Sequence, residues 1–358
     1  MARRQPADSF GLPVAAIRAG HHSDAYLRLA KRVLEAEDRH PRVTMQVFQK
    51  RTTALAGIDE ALAVLELCSG TEAGGRWRAG WEGLEVHALH EGDAIAPLET
   101  VLSIVGDYSV FAHLETVFLG CLARRTLVAG NVARAVAAAA GKPVLFFAAR
   151  HDHWPVQPGD GFAAHLAGAA GVSTDAGGDW WGGRGVGTLP HALIAAYAGD
   201  TVAAARAFAR QSPEGDGVTV LVDFENDSIA TALAVADALG EDLWGVRLDT
   251  AEDLVDRGLA DLGPAAPAGV SPELVARVRR ALDDHGHRRV RIVVSGGFDP
   301  ERIAAFEAAG APVDAYGVGS ALLRGSNDFT ADVVCLDGRH CAKAGRRHRP
   351  NPRLERVY

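Results

Sequence analysis

The feature that most constrains this chain is the alternation of short apolar segments with amphipathic ones from about Phe111 onward. Strand patterns at Val144–Ala148, Val218–Phe224, Gly245–Leu248, Val290–Ser295 and Ala315–Val318 are separated by helical patterns. Those are Gly161–Ala169, His191–Ala198, Thr201–Arg210, Ile229–Leu239, Pro272–Asp284 and Pro300–Ala309. Apolar strands joined by amphipathic helices make a parallel sheet, and this number of units favours a barrel over an open sheet. A long alanine-rich helix, Leu114–Ala139, leads into the series.

The residues before it have another texture. A helix is expected over Ser23–Asp38, with Ala25, Leu29, Val33 and Ala36 at helical spacing and Ser23 or Asp24 as N-cap. An alternating strand follows at Val43–Phe48, then an amphipathic helix over 54–68, then short strands joined by glycine turns between Arg76 and Val105. Glu91–Tyr108 has the hairpin pattern of a biotinyl or lipoyl carrier, but no lysine stands at the turn, so a small β-rich subdomain is the reading. The tail from Asp332 is short, polar and basic.

Composition excludes several classes. With 48% hydrophobic and 23% charged residues the chain is neither disordered nor fibrous. At 45 acidic against 37 basic residues, a net charge of −8 argues against a phosphate-tracking nucleic-acid surface. No apolar run reaches the roughly 18 residues of a membrane span. Met1–Gln5, with Arg3 and Arg4, leads into no apolar region with a cleavage site, so no signal peptide is read and a cytoplasmic location is expected. Cys68, Cys121, Cys335 and Cys341 fit no disulfide framework and read as reduced thiols. Cys335 and Cys341 with His340 and His348 could hold a metal, but no CxxC pair supports it. Lysine occurs only at Lys31, Lys50, Lys142 and Lys343, so nearly all positive charge is arginine, the better bidentate partner for carboxylates and phosphates.

In α/β barrels the chemistry sits at the C-terminal ends of the strands. Two consecutive final strands end in glycine turns, Ser295-Gly296-Gly297 and Gly317-Val318-Gly319-Ser320, each followed by a helical segment. Such turns expose backbone N–H groups and make a candidate phosphate cradle; tight structural turns are the alternative. Asp223 follows one apolar strand, and Arg247 and Asp249 stand at the end of another. There the arginine would clamp a phosphate or carboxylate and an aspartate would hold Mg²⁺ or ribose hydroxyls, or neighbouring strand ends would simply form a salt bridge. Thr188 and His191 follow the glycine-rich loop Gly177–Gly187, which places a histidine for general chemistry or phosphoryl acceptance.

Together these segments resemble the nicotinate phosphoribosyltransferase family, in its short archaeal and bacterial form. The resemblance runs in order through SDAYL, LETVFLGCLARRTLVAGNVAR, FFAARHDH, GTLPHAL, VDFEND, GVRLDT, VVSGGFDP and YGVGS, over nearly the whole chain. It implies an N-terminal α/β sandwich domain over 1–112, an incomplete α/β barrel of the type II phosphoribosyltransferase kind over 113–325, and a tail over 326–358 returning to the first domain. It implies phosphoribosyl transfer from phosphoribosyl pyrophosphate to nicotinate, giving nicotinate mononucleotide and pyrophosphate. Mg²⁺ is the implied cofactor and ATP a co-substrate coupled through a phosphorylated His191. No nucleic acid or membrane partner is implied, and a homodimer or higher homo-oligomer carries sites at its interface.

By the same resemblance Tyr26 stacks on the pyridine ring and Arg150 binds the substrate. Arg247 and Asp249 clamp the sugar phosphate, and Thr188 and Asp223 also line the substrate site. Ser295, Gly296, Gly297, Gly317, Gly319 and Ser320 cradle the 5′-phosphate. The chain departs from the family pattern in three motifs and in the unusual loop Asp175–Arg184, with Trp180 and Trp181. Arg150-His151-Asp152-His153 stands for Arg-Arg-x-His, Asp223-Phe224-Glu225 for Asp-Thr-Tyr, and Leu127-Val128-Ala129-Gly130 for Ser-x-Ala-Thr. Transfer to quinolinate, nicotinamide or another heterocyclic carboxylate, and a non-catalytic phosphate-binding homologue, are the alternatives. His191 in GTLPHAL disfavours the quinolinate type.

Overall fold

Six parallel strands carry most of the apolar segments: β1 (Val144–Phe146), β2 (Gly171–Val172), β3 (Val218–Leu221), β4 (Leu243–Leu248), β5 (Arg291–Val294) and β6 (Ala315–Val318). In this computed structural model, which describes residues 4–212 and 217–357, their order across the sheet is β3-β4-β5-β6-β1-β2. Met1–Arg3, part of the N-terminal stretch read above, lie outside the described residues. The sheet belongs to one of two units, Asn131–Arg324; the other is Met1–Gly130 with Gly325–Tyr358. The division falls inside the long helix Glu115–Ala138.

Every residue of β3 and β6 is buried, as a sheet covered on both faces requires. The edges of the sheet meet a common segment. Gly185 bridges Val172 and Leu189 bridges Val220, both in parallel, with Val186 N–H donating to Val172 O at 2.7 Å and Leu189 N–H to Thr219 O at 3.0 Å. The sheet is therefore curled into an incomplete barrel, and residues 185–189 span its gap. The helices are α1 (Gln157–Leu166), α2 (His191–Ala196), α3 (Thr201–Ala209), α4 (Ser228–Leu239), α5 (Pro272–Asp284) and α6 (Pro300–Ala308). Asp200, Asp227, Ser271 and Asp299 cap α3 to α6 by accepting backbone N–H groups of their first turns.

Some boundaries differ from the sequence reading. The helix expected at Gly161 begins at Gln157, because Pro158 in its first turn has no N–H to lose. β1 stops at Phe146, and Ala149–His151 form a 3₁₀ turn. The two-residue β2 and the 3₁₀ run Arg257–Ala265 carry no periodicity and were not foreseen.

The first unit is a six-stranded antiparallel sheet backed by helices. Its strands lie in the order Arg339–His340, Thr330–Leu336, Arg42–Phe48, Thr100–Asp107, Glu85–Ala88 and Glu355–Arg356. Helix Ile58–Cys68 and the start of helix Glu115–Ala138 pack on it through Leu62, Leu65, Phe118 and Leu122 against Met45, Val47 and Ile104. Helix Ala25–Ala36 buries Leu27 and Lys31, and leaves Leu29 and Val33 exposed. Lys31 fixes that face, donating from Nζ to Gly70 O at 2.8 Å and Ser109 O at 2.7 Å. Neither expected N-cap acts as one: Asp24 accepts from Thr116 Oγ1 at 2.9 Å, and Ser23 Oγ donates to His113 O.

Candidate active site

Arg247 leaves β4 near its C-terminal end and meets three other segments there. Its Nε donates to Ser295 Oγ at 2.6 Å, its Nη1 to Thr188 Oγ1 at 3.0 Å, and its Nη2 lies 3.4 Å from Asp249 Oδ2. Ser295 Oγ passes its own proton to Asp249 Oδ1 at 2.6 Å. The guanidinium carbon stands 5.2 Å from the centroid of the Phe147 ring. An arginine so held on three sides presents a fixed charge, because its rotamer freedom is already spent.

His191 opens α2, and its Nε2 lies 3.1 and 3.2 Å from the two carboxylate oxygens of Asp223, at the end of β3. The Asp223 side chain is buried and the histidine ring is 43% exposed. The hydrogen bond to Asp223 raises the His191 pKa above its usual value; burial opposes this, while the Asp223 and Asp249 charges add to it. Held at Nε2, the ring offers Nδ1 as its second nitrogen.

Backbone groups complete the picture. Among the described residues, the N–H groups of Gly296, Gly297, Phe298 and Gly319 donate to no protein acceptor. Gly296 and Gly297 both take positive φ, 85° and 68°, which a side chain would resist. At the end of β6 the constraint is space. A Cβ at Gly317 would stand 2.8 Å from the Phe147 ring, and one at Gly319 would stand 2.8 Å from His151 Nε2.

Thr188, His191, Asp223, Arg247, Asp249, Ser295, Gly296 and Gly297 are thus joined through contacts at the C-terminal ends of the strands. Gly319 lies beside them in the sheet order. Gly317 differs: it sits inside β6 and is fully buried. Ser320 is exposed at the start of a 3₁₀ turn, Ser320–Leu323. Arg150 is exposed in the turn after β1 and makes no ion pair among the described residues. Tyr26 belongs to the first unit and is 66% exposed. Phe147 and Arg302 were not anticipated; for Phe147, the run Phe146–His153 was the signal.

A separate shallow concavity lies between β1, β2 and α1, lined by Phe146, Ala149, Asp152, Asp160, Ser173 and Thr174. It contains no cation and neither His191 nor Arg247, so an anionic ligand does not suit it. No group of three or more His, Cys, Asp or Glu is assembled for a metal among the described residues, Cys335 and Cys341 included. None of the helices there is long and apolar enough to cross a membrane.

The comparisons with known proteins point the same way. The family model described as quinolinate phosphoribosyl transferase, N-terminal domain, matches residues 24–126. Nicotinate phosphoribosyltransferase pncB1 of Mycobacterium tuberculosis is 36% identical over 255 residues, 70% of this chain and 52% of that protein. The chain spans about half the length of the curated relatives it matches. A crystal structure of nicotinate-nucleotide pyrophosphorylase from Pyrococcus furiosus matches with a TM-score of 0.77 at 33% identity, covering 93% of this chain and 80% of that one. Human nicotinic acid phosphoribosyltransferase matches with a TM-score of 0.65 at 21% identity, over 89% and 75% of the two chains, a likeness of fold. The chain belongs to the nicotinate phosphoribosyltransferase family, on the type II phosphoribosyltransferase fold.

Proposed function

We propose that the chain transfers phosphoribose from phosphoribosyl pyrophosphate to the ring nitrogen of nicotinate, with ATP hydrolysis coupled through His191. The observation that carries this reading is the fixed Arg247, braced by Thr188, Ser295 and Asp249, beside donor loops with open N–H groups. Displacement at the anomeric carbon builds negative charge on the departing pyrophosphate and positive charge on the sugar. The site needs aligned cations and N–H donors more than a base, because the pyridine nitrogen is already a nucleophile. The Gly296–Phe298 and Gly319 N–H groups would hold the 5′-phosphate, and the unpaired Arg150 would meet the nicotinate carboxylate.

Asp223 and Asp249 lie near His191 from two strand ends. Two carboxylates without a third ligand suit Mg²⁺ carried on phosphates rather than held in a cage of side chains. When bound, the ion supplies positive charge to the leaving group. For ATP coupling, His191 Nδ1 forms a bond to the terminal phosphorus as the bond to the ADP oxygen breaks, and Asp223 stabilises the charge left on the ring. A homodimer covering the exposed stripe of Tyr26, Leu29 and Val33 and a cytoplasmic location complete the proposal.

The match of residues 24–126 to a quinolinate-type domain favours a second reading, quinolinate transfer. The His191–Asp223 pair supports the nicotinate reading instead, since quinolinate transfer has no use for a phosphohistidine. One assay separates them. The protein is incubated with phosphoribosyl pyrophosphate, Mg²⁺ and ATP, with nicotinate or quinolinate as acceptor. Mononucleotide and ADP appearing together with nicotinate are expected. Product only with another heterocycle would move the acceptor, and none with any would leave a binding module. His191→Ala should abolish ATP stimulation while slow transfer persists; ATP dependence surviving that change would remove the histidine from the coupling.

A further inference from the structure

Arg302 lies in the first turn of α6, outside the residues that the sequence assigns to the site. Its Nη1 donates to Gly296 O at 2.7 Å and its Nη2 to Val270 O at 2.7 Å. The guanidinium carbon stands 4.5 Å from the centroid of the Phe298 ring and 5.8 Å from that of Phe306. Its own backbone N–H is taken by the capping carboxylate of Asp299 at 2.9 Å, so the residue is anchored at both ends. Glu252 Oε1, on an exposed side chain, lies 3.9 Å from Nη1 and adds little.

The consequence follows from peptide geometry. A trans peptide points its C=O and N–H to opposite sides. A guanidinium gripping Gly296 O therefore turns the Gly297 N–H away from α6, and that N–H has no protein acceptor among the described residues. Two adjacent glycines at positive φ have little preference of their own for that conformation. An outside contact has to select it, and Arg302 makes that contact.

We propose that Arg302 is a positioning residue for the phosphate of the sugar substrate. It fixes the Gly296–Gly297 peptide so that its N–H faces the anion, and it places a positive charge behind the loop. This role rests on the phosphoribosyl-transfer reading of the cradle.

The test uses the full chain with Arg302→Ala and Arg302→Lys. Ribose 5-phosphate is titrated calorimetrically, and KM values are measured for phosphoribosyl pyrophosphate and nicotinate. In Arg302→Ala, ribose 5-phosphate binding should weaken and the phosphoribosyl pyrophosphate KM should rise, each about tenfold. The nicotinate KM should stay within about twofold of wild type. Arg302→Lys, with one donor reaching one carbonyl, should fall between the two, and it carries the test where the alanine variant melts early. Equal affinity for ribose 5-phosphate in wild type and a folded variant overturns the role of Arg302 alone. So does a uniform loss on both substrates, the mark of a merely structural residue. A wild-type protein that binds no ribose 5-phosphate overturns the cradle reading, and this role with it.

Discussion

His191 and Asp223 form a pair whose pH behaviour follows from their contact. Bonding to the carboxylate stabilises the imidazolium and raises the histidine pKa, whereas a phosphoryl acceptor needs the neutral ring. ATP-stimulated turnover should therefore fall as pH drops through that raised value. Asp223→Asn removes the main cause of the shift, so the acid limb should move to lower pH, read from ADP release across a pH series. A limb that stays in place would show that some other group titrates. Asp223, Arg247, Asp249 and Ser295 were legible in the sequence because each stands at or just past the C-terminal end of an apolar strand, where a barrel aims side chains into its mouth. Phe147 and Arg302 were not, because their contacts depend on which strands become neighbours. Phe147 reaches Gly317 only because β6 lies beside β1, and the sequence does not state that order.

Among the elements, helix Ile58–Cys68 shows how a single carboxyl can govern an N-terminus. Glu91 accepts the Gly57 N–H at 2.9 Å and the Asp59 N–H at 3.0 Å. Burial, with the Asp59 and Glu60 charges adding to it, pushes its pKa up to about 8. Folding therefore favours the protonated form. This contribution is fully present below the ordinary carboxylate range and is lost as pH rises toward 8. Glu91→Gln gives up one acceptor but carries no charge. Its melting temperature should trail wild type at pH 5 and gain on it steadily toward pH 9, in paired thermal melts. A constant gap across that range would show that Glu91 stays ionised in the fold. In the glycine-rich loop before His191, the first half, Gly177–Gly183, is packed. Trp181 stacks on His165 with centroids 4.0 Å apart, its Nε1 donates to Gly177 O at 3.0 Å, and Gly183 N–H returns to Gly178 O at 3.0 Å. Glycine reads as freedom in a sequence; whether tryptophan fills the space it leaves is settled only in three dimensions.

For the whole molecule, the face of helix Ala25–Ala36 sets the clearest expectation. Tyr26, Leu29 and Val33 are 66%, 59% and 50% exposed on one stripe, although the helical spacing of Leu29 and Val33 had suggested a core face. The proposed homodimer would bury them. Leu29→Lys with Val33→Glu should convert a dimer to monomer in sedimentation velocity; at exposed positions the pair costs each protomer only about 0.5 kcal/mol or less. A wild-type chain that sediments as a monomer would refute the proposed assembly.

The antiparallel pairing of Thr330–Leu336 with Arg42–Phe48, from Val43 opposite Leu336 to Phe48 opposite Thr330 with one register shift between Thr44 and Met45, bears on how the chain is made. Emerging from the ribosome, Arg42–Phe48 can pair with Thr100–Asp107 early, but its other neighbour is made only after the whole of the second unit. Until then Val43, Met45 and Val47 border an open edge, the condition in which strands recruit partners from other chains. The first unit is thus begun before the second and closed only after it. A message broken before the codon for Thr330 yields more than a shortened product: it yields a sticky one.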